Sequence, residues 1–487
     1  ASVTWAGTIT DTATSTTNFA RLAANQLTVI SSNTYKGTTS LLGGILNLQS
    51  NGTLANTSAI TVNYGTLTID NNAGLLIDNT NRVNDAAPIS MSGGTVSFNG
   101  RTNSASSEVL GALTVAQGAN IIISGVQAVG SFASADLTFA SLTRSAGTTI
   151  TFTSGNGTLG SVGTNPRIFF TSLLANNSAN ALGAWAIANS TDYAGYNVSQ
   201  GVGALNTAGY RGYDAGYLSG GTLFGFGSGL VTNVQAAANQ SLTLPAGGAT
   251  TAMLRLFSAA AGVQNDILFT GNTDKLNLVS GGLLRNNISA GSLIGDQTTA
   301  GILTSGGALS TGTTDLVAYT NNTTTASGTL TAVAVTNVTS LTLTAVTTTI
   351  TPGMMVSGTG VTAGTYVTSV SGATIGLSTG NTLAASAALT FTPAVVINAS
   401  IQNNGLGNLT SLVKSGAGFV TLTGANTYTG GTVVDQGTLN LASLGTGSLT
   451  QVGNATNVVI PGDLIINGGT QGTGSAVTML LNAGQIA

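Results

Sequence analysis

Short runs in which apolar and polar residues alternate recur along most of the chain. Examples are GGTVSFNG from Gly93, ADLTFASL from Ala135 and TDLVAYTNN from Thr314. Such alternation is typical of a β-strand with one buried face, and Gly, Asn or Ser bounds each run as a turn residue. No long stretch has the 3.6-residue period of an amphipathic helix. The pattern therefore predicts an all-β chain.

The runs return roughly every 15–25 residues, as expected where each coil of a solenoid stacks on the previous one. The strongest repetition joins ISSNTYKGTTSLLGGILNL from Ile30 to LTGANTYTGGTVVDQGTLNL from Leu422. We interpret the shared residues as architecture rather than as two binding sites: glycines form the corners, and asparagines bond along the stack. They are Asn33, Tyr35, Gly37 and Gly44 in the first copy and Asn426, Tyr428, Gly430 and Gly437 in the second, at a constant offset of 393 residues.

Residues 412–441, LVKSGAGFVTLTGANTYTGGTVVDQGTLNL, resemble the autotransporter-associated β-strand repeat. The pattern of that family has a K-S-G-x-G lead, an alternating strand, N-T-Y-T-G-G-T, a second strand and G-T-L-x-L. Residues 19–48 are a first copy, in which Ala23, Ala24 and Asn25 replace the lead glycines. The resemblance implies a parallel β-solenoid that is exported and displayed on the bacterial surface, often as an autotransporter passenger.

Two regions interrupt the repeats. Residues 165–230 concentrate aromatic side chains, and we predict irregular loops on the solenoid there. Residues 323–393 are predicted to be a small inserted β module, since a solenoid tolerates insertions at its turns. The remaining solenoid segments are 1–164, 231–322 and 394–487. The predicted fold is a parallel, right-handed β-solenoid, or β-helix, with irregular loops and one small inserted all-β module.

Charged residues are scarce: 11 Lys and Arg and 14 Asp and Glu give a net charge of −3 over 487 residues. Weak repulsion between copies permits close contact, so we predict self-association. The scattered cations form no basic patch, which argues against nucleic acid as a partner. No apolar run reaches the ~18–20 residues of a membrane-spanning helix, so no transmembrane segment is predicted.

Histidine and cysteine are both missing from the sequence, which excludes Ser-His-Asp and Cys-His catalysis and metal sites that use these ligands. The acidic residues stand singly, so a carbohydrate-active β-helix enzyme is only a third interpretation. DNTNRVND is the richest cluster of oxygen ligands and makes Asp78 and Asp85 calcium candidates. We favour a corner of Asx turns in which Arg82 pairs with Asp78 or Asp85. The prediction is no enzymatic activity and no cofactor.

The tyrosine-rich stretch offers candidates for a partner contact. Tyrosine rings stack on sugar rings, and Asp and Arg side chains bond to hydroxyl groups. The favoured alternative is a local hydrophobic cluster where solenoid stacking is interrupted. The candidate glycan contacts are Tyr193, Tyr196, Tyr210, Arg211, Tyr213, Asp214 and Tyr217.

Together these features predict a non-enzymatic extracellular structural protein that builds a bacterial cell-surface fibre, filament or sheath by end-to-end and lateral self-association. End-to-end contact is expected through open strand edges at ASVTWAGTIT and AVTMLLNAGQIA. Both stretches are uncharged, and Asp11 directly follows the first of them. The alternative is an autotransporter-type adhesin passenger that binds glycans or a host surface.

Overall fold

The computed structural model describes residues 2–126, 134–258, 260, 262–286, 290–307, 311–321, 325–346, 350–441, 460, 463–467 and 477–481. Within these ranges every regular element is a β-strand, as the sequence predicted. They contain no helix, hence none long and apolar enough to cross a membrane. The strands belong to two compact units: Ala1–Gly212 with Asn467–Ala476, and Tyr213–Ile466 with Val477–Ala487.

The first unit contains strands β1 to β19. They are β1 (Val3–Trp5), β2 (Phe19–Arg21), β3 (Gln26–Val29), β4 (Thr39–Leu41), β5 (Ile45–Leu48), β6 (Ile60–Asn63), β7 (Thr66–Asp70), β8 (Ile89–Ser92), β9 (Thr95–Gly100), β10 (Ala105–Leu110), β11 (Leu113–Gln117), β12 (Ala119–Val126), β13 (Ser134–Phe139), β14 (Leu142–Arg144), β15 (Thr149–Ser154), β16 (Pro166–Phe170), β17 (Ala186–Ala188), β18 (Asp192–Asn197) and β19 (Gly201–Ala204).

From β1 to β17, each strand of the first unit lies in a different sheet from the strand before it, as in a coiled chain. One sheet has the order β1-β3-β5-β7-β9-β12-β15-β17-β18-β19, a second β14-β11-β8-β6-β4-β2, and a third β10-β13-β16. Apart from the pairs β17–β18 and β18–β19, neighbours are parallel. The arrangement is compatible with a β-solenoid.

The parallel register stacks apolar side chains into continuous columns. One such column in the first sheet contains five buried residues, each of which is the register partner of the next. They are Leu46, Leu67, Val96, Ile122 and Phe152. Burying one such side chain contributes about 1.5–3 kcal/mol. The alternation read from the sequence thus places one face of these strands in the core of the first unit.

The segment predicted as irregular, residues 165–230, is more regular than expected. β16 continues a parallel sheet, and β18 and β19 form an antiparallel ladder with β17. The two compact units also divide within this segment, at Gly212. Its aromatic side chains therefore belong partly to strands that complete the first unit's core.

The second unit contains the remaining strands. They are β20 (Asp214–Ala215), β21 (Tyr217–Ser219), β22 (Thr222–Phe224), β23 (Val231–Ala236), β24 (Gln240–Leu244), β25 (Gly248–Ser258), β26 (Asn265–Phe269), β27 (Lys275–Asn286), β28 (Ser292–Ile294), β29 (Ile302–Ser305), β30 (Gly312–Thr320), β31 (Ala326–Leu330), β32 (Val335–Val346), β33 (Met355–Ser357), β34 (Val367–Ser371), β35 (Thr374–Leu383), β36 (Ala388–Thr392), β37 (Ala394–Ile397), β38 (Ser400–Gln402), β39 (Asn408–Ser415), β40 (Phe419–Leu422), β41 (Thr432–Val434), β42 (Gly437–Leu441), β43 (Leu464–Ile466) and β44 (Val477–Leu481).

Two parallel sheets run through this unit. One has the order β24-β26-β28-β37-β40-β42-β44; the other contains β20-β23-β25-β27-β30-β39-β41-β43, with β29 and β38 beside that path. The predicted terminal run AVTMLLNAGQIA lies partly outside the described residues, which include only 477–481 of it.

Both parallel ladders of the second unit pass over one long segment. Ile294 of β28 pairs with Ile397 of β37, and Val317 of β30 pairs with Val413 of β39. The skipped residues form an antiparallel sheet, β33-β36-β31-β32-β35-β34, with its own buried core between Ala326 and Phe391. This is the segment for which the sequence predicted an inserted β module.

The antiparallel sheet also packs against the parallel stack. Met355 and Tyr366 from the insertion form a buried cluster with Ala394 and Val396 of β37. The hydroxyl of Thr421 donates a hydrogen bond to the Met355 sulfur at 3.2 Å. The insertion is therefore held by side-chain contacts as well as by its two chain connections.

Candidate functional site

The repeat asparagines join neighbouring coils. Asn33 accepts a hydrogen bond from the backbone N–H of Ile9 at 2.8 Å, and its amide donates to the carbonyl of Thr53 at 3.1 Å. Asn426 accepts in the same way from the N–H of Ile401 at 3.0 Å. Both asparagines are buried. Because a buried backbone N–H must find a partner, each asparagine supplies one at a corner where the strand ladder stops.

The repeat tyrosines are interior residues. Tyr35 and Tyr428 are buried, and their hydroxyls lie 2.5 Å from those of Thr39 and Thr432, respectively. Burial raises the pKa of Tyr428 to about 12, while the hydrogen bond with Thr432 acts in the opposite direction. Each tyrosine thus fills the core of a corner and keeps its one polar atom paired.

Two equivalent glycines allow a close approach of backbones. Gly44 and Gly437 have φ angles of 64° and 77°, a region that other residues rarely adopt. A Cβ at Gly437 would lie 2.3 Å from the carbonyl oxygen of Gly416, and one at Gly44 would lie 2.0 Å from that of Ala23. The first copy therefore keeps the same close approach although Ala23 replaces the lead glycine.

Lys414 closes the second repeat from inside, a role that the sequence did not predict for it. The buried ammonium donates to the carbonyls of Ser415, Gly416 and Gln436 at 2.8, 2.6 and 2.9 Å. Burial lowers its pKa to about 7, and attraction to Asp435 partly offsets this effect. The aligned Arg21 donates to the carbonyl of Asn25 in the first copy. The sequence did contain a signal for this role, because both copies of the repeat have a cationic residue at the aligned position, Arg21 or Lys414.

Arg82 is the centre of a buried polar network in the first unit. Its guanidinium donates to Asn71 and to the carbonyls of Ser50, Gly52 and Ile77. The predicted pairing of Arg82 with Asp78 or Asp85 is therefore replaced by bonds to backbone carbonyls of neighbouring turns. The local sequence gave no indication of the partners Ser50 and Gly52, which lie 32 and 30 positions earlier in the chain.

Glu108 completes this network from another coil. It accepts hydrogen bonds from the backbone N–H groups of Arg82 and Val83, at 3.0 and 2.9 Å. The carboxyl group is fully buried, and desolvation raises its pKa to about 8. Glu108 thus holds the corner that begins at Arg82.

The calcium candidates are arranged differently from each other. Asp78 accepts hydrogen bonds from Asn71, Ser104 and Ser106, so its oxygens already join two coils. Asp85 is exposed. In the described part of the chain, no group of three or more acidic residues is placed to hold a metal ion. The bonds of Asp78 serve the corner itself.

Four of the glycan candidates lie in the first unit. Tyr193 is buried, and Tyr196 is buried with its hydroxyl bonded to both the N–H and the carbonyl of Phe170 at 3.1 Å. Tyr210 is half-buried and donates to the carbonyl of Gly201 at 3.0 Å; Arg211 is half-buried. The prediction of surface contact is wrong for Tyr193 and Tyr196, because their rings pack inside the first unit.

The other three candidates lie in the second unit. Tyr213 is half-buried with the guanidinium of Arg255 over its ring, 4.9 Å from the ring centroid. Asp214 accepts a hydrogen bond from the N–H of Val231 at 3.0 Å. Tyr217 is 51% exposed. Of the seven candidates, Tyr217 presents the most accessible aromatic ring.

Comparison with known families identifies one segment. Residues 412–441 match the family described as passenger-associated-transport-repeat. Neither the curated proteins nor the solved structures contain a match to the chain. The matched segment runs from within β39 to the end of β42 and includes Lys414, Asn426, Tyr428 and Gly437. Residues 412–441 are thus a passenger-associated-transport-repeat, the autotransporter-associated repeat that the sequence predicted.

Proposed function

We propose that the chain is a non-enzymatic structural passenger of the bacterial cell surface, a right-handed parallel β-solenoid that builds a fibre, filament or sheath. The observation that carries this proposal is the passenger-associated repeat at residues 412–441. Its strand β41 lies between β39 and β43, and β42 lies between β40 and β44. A repeat inside continuous ladders serves the scaffold, since its side chains are occupied by contacts between coils.

The placement of the acidic groups supports a non-enzymatic role. Paired-carboxylate hydrolysis needs two acids that reach one substrate bond. Glu108, whose pKa is raised, is fully buried and binds backbone N–H groups of Arg82 and Val83. Asp435 in the passenger repeat is buried beside Lys414. These groups are positioned to stabilise corners rather than to meet a polymer substrate.

The scarcity of charge supports contact between copies. With a net charge of −3 on 487 residues, long-range repulsion is weak. Strand β1 has β3 as its partner among the described strands, and its side chains Val3 and Trp5 are exposed. Such an edge accepts a further strand unless charge prevents it.

Electron microscopy of the purified chain at increasing concentration tests the proposal. We expect regular filaments or sheets, and the variant Thr4→Lys in β1 should abolish them if copies join at this edge. Thr14→Lys, at an exposed position outside the strands, is the matched control and should assemble normally. Single particles at every concentration would overturn the self-assembling role. Protease treatment of intact producing cells separately tests surface display.

A further inference from the structure

A groove of about 360 Å³ lies beside the β21–β22 hairpin, entirely within the second unit. Tyr217 and Leu218 of the hairpin form one side. Val234 and Leu242, both buried, form its apolar floor. The volume falls within the ~300–1,000 Å³ of typical ligand pockets and suits a mono- or disaccharide unit.

An aromatic platform borders the groove. The ring of Tyr217 stacks on that of Phe224 with centroids 4.9 Å apart and an interplanar angle of 13°. Both rings are substantially exposed, at 51% and 42%. Because Phe224 fixes the orientation of Tyr217, little side-chain freedom is left to lose when a ligand packs on it. The hairpin therefore holds an aromatic surface in water, where burial by a ligand is favourable.

The opposite side of the groove carries uncharged hydrogen-bonding groups. They come from the end of β23 and from β24, in which Leu242 and Leu244 are buried. These groups are exposed and belong to Gln235, Gln240, Ser241 and Thr243. Within the described residues, the hydroxyls of Tyr217 and Thr243 form no hydrogen bond with the protein, so both are free for a ligand.

Among the residues that the structure describes, no charged side chain lines this groove. Ser241 donates a hydrogen bond to the carboxyl group of Asp266, which is buried. Asp266 also accepts hydrogen bonds from Gln264 and from the N–H of Leu293, so its oxygens are occupied. An ionic ligand would find no counter-charge here, whereas amides and hydroxyls match the hydroxyl groups of a sugar.

We propose that this groove binds a neutral saccharide, whose C–H face packs on Tyr217 while its hydroxyls bond to Gln235, Gln240, Ser241 and Thr243. The site goes beyond the structural role proposed above and does not depend on it. The sequence indicated Tyr217 but none of the four polar residues. These residues belong to β23 and β24, which only the folded chain places beside the hairpin.

The test uses the full chain on an array of neutral oligosaccharides of glucose, galactose, mannose and N-acetylglucosamine, with uronic-acid and sialylated glycans as a charged set. We expect binding to a neutral member, measured afterwards by titration calorimetry. Tyr217→Ala should weaken it roughly tenfold or more, the effect of losing about 1.4 kcal/mol. Tyr217→Phe keeps the ring and should lose much less. Thr243→Ala, on the other side of the groove, should also weaken binding.

Leu406→Ala is the matched control, since Leu406 is a fully exposed apolar residue of the same unit and lies away from the groove. Circular dichroism of each variant separates lost binding from lost folding, and Thr243→Ala provides an independent reading if Tyr217→Ala misfolds. Failure to bind any neutral glycan, preference for the charged set, or equal affinity in Tyr217→Ala and wild type would overturn the proposal. Binding of an extended peptide instead, along the edge of β24, would also overturn it.

Discussion

The ammonium of Lys414 lies 2.9 Å from the carbonyl oxygen of Gln436, across the two sides of the passenger-associated repeat. The same ammonium bonds to the carbonyls of Ser415 and Gly416. One side chain thus donates hydrogen bonds to three backbone carbonyls on both sides of the repeat. A neutral, apolar replacement removes all three of these hydrogen bonds.

We expect Lys414→Met to lower the free energy of unfolding by about 2–4 kcal/mol, because it removes three hydrogen bonds from a buried, charged donor. Hydrogen exchange of the β39 and β41 amides would measure the loss where it occurs. Lys36→Met is the control, since the Lys36 side chain is exposed and should change stability little. Equal effects of the two substitutions would contradict the role of Lys414.

Lys414 also predicts a pH dependence. Its pKa is lowered to about 7 in the folded protein, chiefly by burial, against 10.5 for an ordinary lysine. Between these values the unfolded chain binds a proton that the folded chain does not, so the contribution of Lys414 to stability rises with pH. We expect the stability difference between wild type and Lys414→Met to grow from about pH 6.5 to pH 9, by at most ~1.4 kcal/mol per pH unit.

The difference in stability between wild type and Lys414→Met does not contain the contributions that other buried groups make to the pH dependence. Glu108 acts in the opposite direction: its pKa is raised to about 8, so its contribution is present at acidic pH and is lost as the pH rises through that value. Urea unfolding at several pH values provides the measurement. A difference that stays constant across the range would be incompatible with a lowered pKa at Lys414.

The hydroxyl pair of Tyr428 and Thr432 should be energetically coupled. Tyr428→Phe and Thr432→Val each remove one buried hydroxyl and leave its partner unpaired, at a cost of about 1–3 kcal/mol. The double variant leaves neither unpaired and should cost less than the two single changes together. Thermal unfolding of the four proteins in this cycle gives the coupling energy. Strict additivity would mean that the two hydroxyls do not depend on each other.

Gly437→Ala should lower stability more than a glycine substitution in which the positive φ angle is the only source of strain. The new Cβ would meet the carbonyl oxygens of Gly416 and Gly418 at 2.3 and 2.5 Å, in addition to the φ of 77°. Gly247→Ala is the matched comparison, with a φ of 88° and open space around the Cβ. We expect about 1–3 kcal/mol for Gly247→Ala from backbone strain and a larger loss for Gly437→Ala. Denaturant midpoints of the two variants test this order.

The inserted sheet should be removable at a moderate cost. The parallel ladders pass from β28 to β37 and from β30 to β39 without it, so replacing residues 325–392 by a flexible Gly-Ser linker should leave the stack folded. The deletion exposes Val396 and Ala394, which Met355 and Tyr366 cover. We therefore expect a lower unfolding temperature but a retained β-sheet circular dichroism spectrum. Complete unfolding would mean that the stack requires the insertion.

Local sequence patterns were sufficient to predict the strands and the repeat. Alternation with period 2 depends only on neighbouring residues, so runs such as GGTVSFNG identify strands by themselves. The constant offset between Asn33 and Asn426 identified two copies of one repeat, and the interruption after residue 323 predicted an inserted module. These features need no knowledge of which coils touch.

Only the tertiary structure decided which polar and aromatic residues face water. Tyr193 and Tyr217 look alike in the sequence, yet one is buried and the other is exposed, because their surroundings come from different coils. The bonds of Arg82 reach residues 30 and 32 positions earlier, and Glu108 binds its backbone from 26 positions later. Such partners depend on coil lengths and register, which vary from turn to turn and which no local pattern encodes. The groove beside Tyr217 is invisible in the sequence for the same reason.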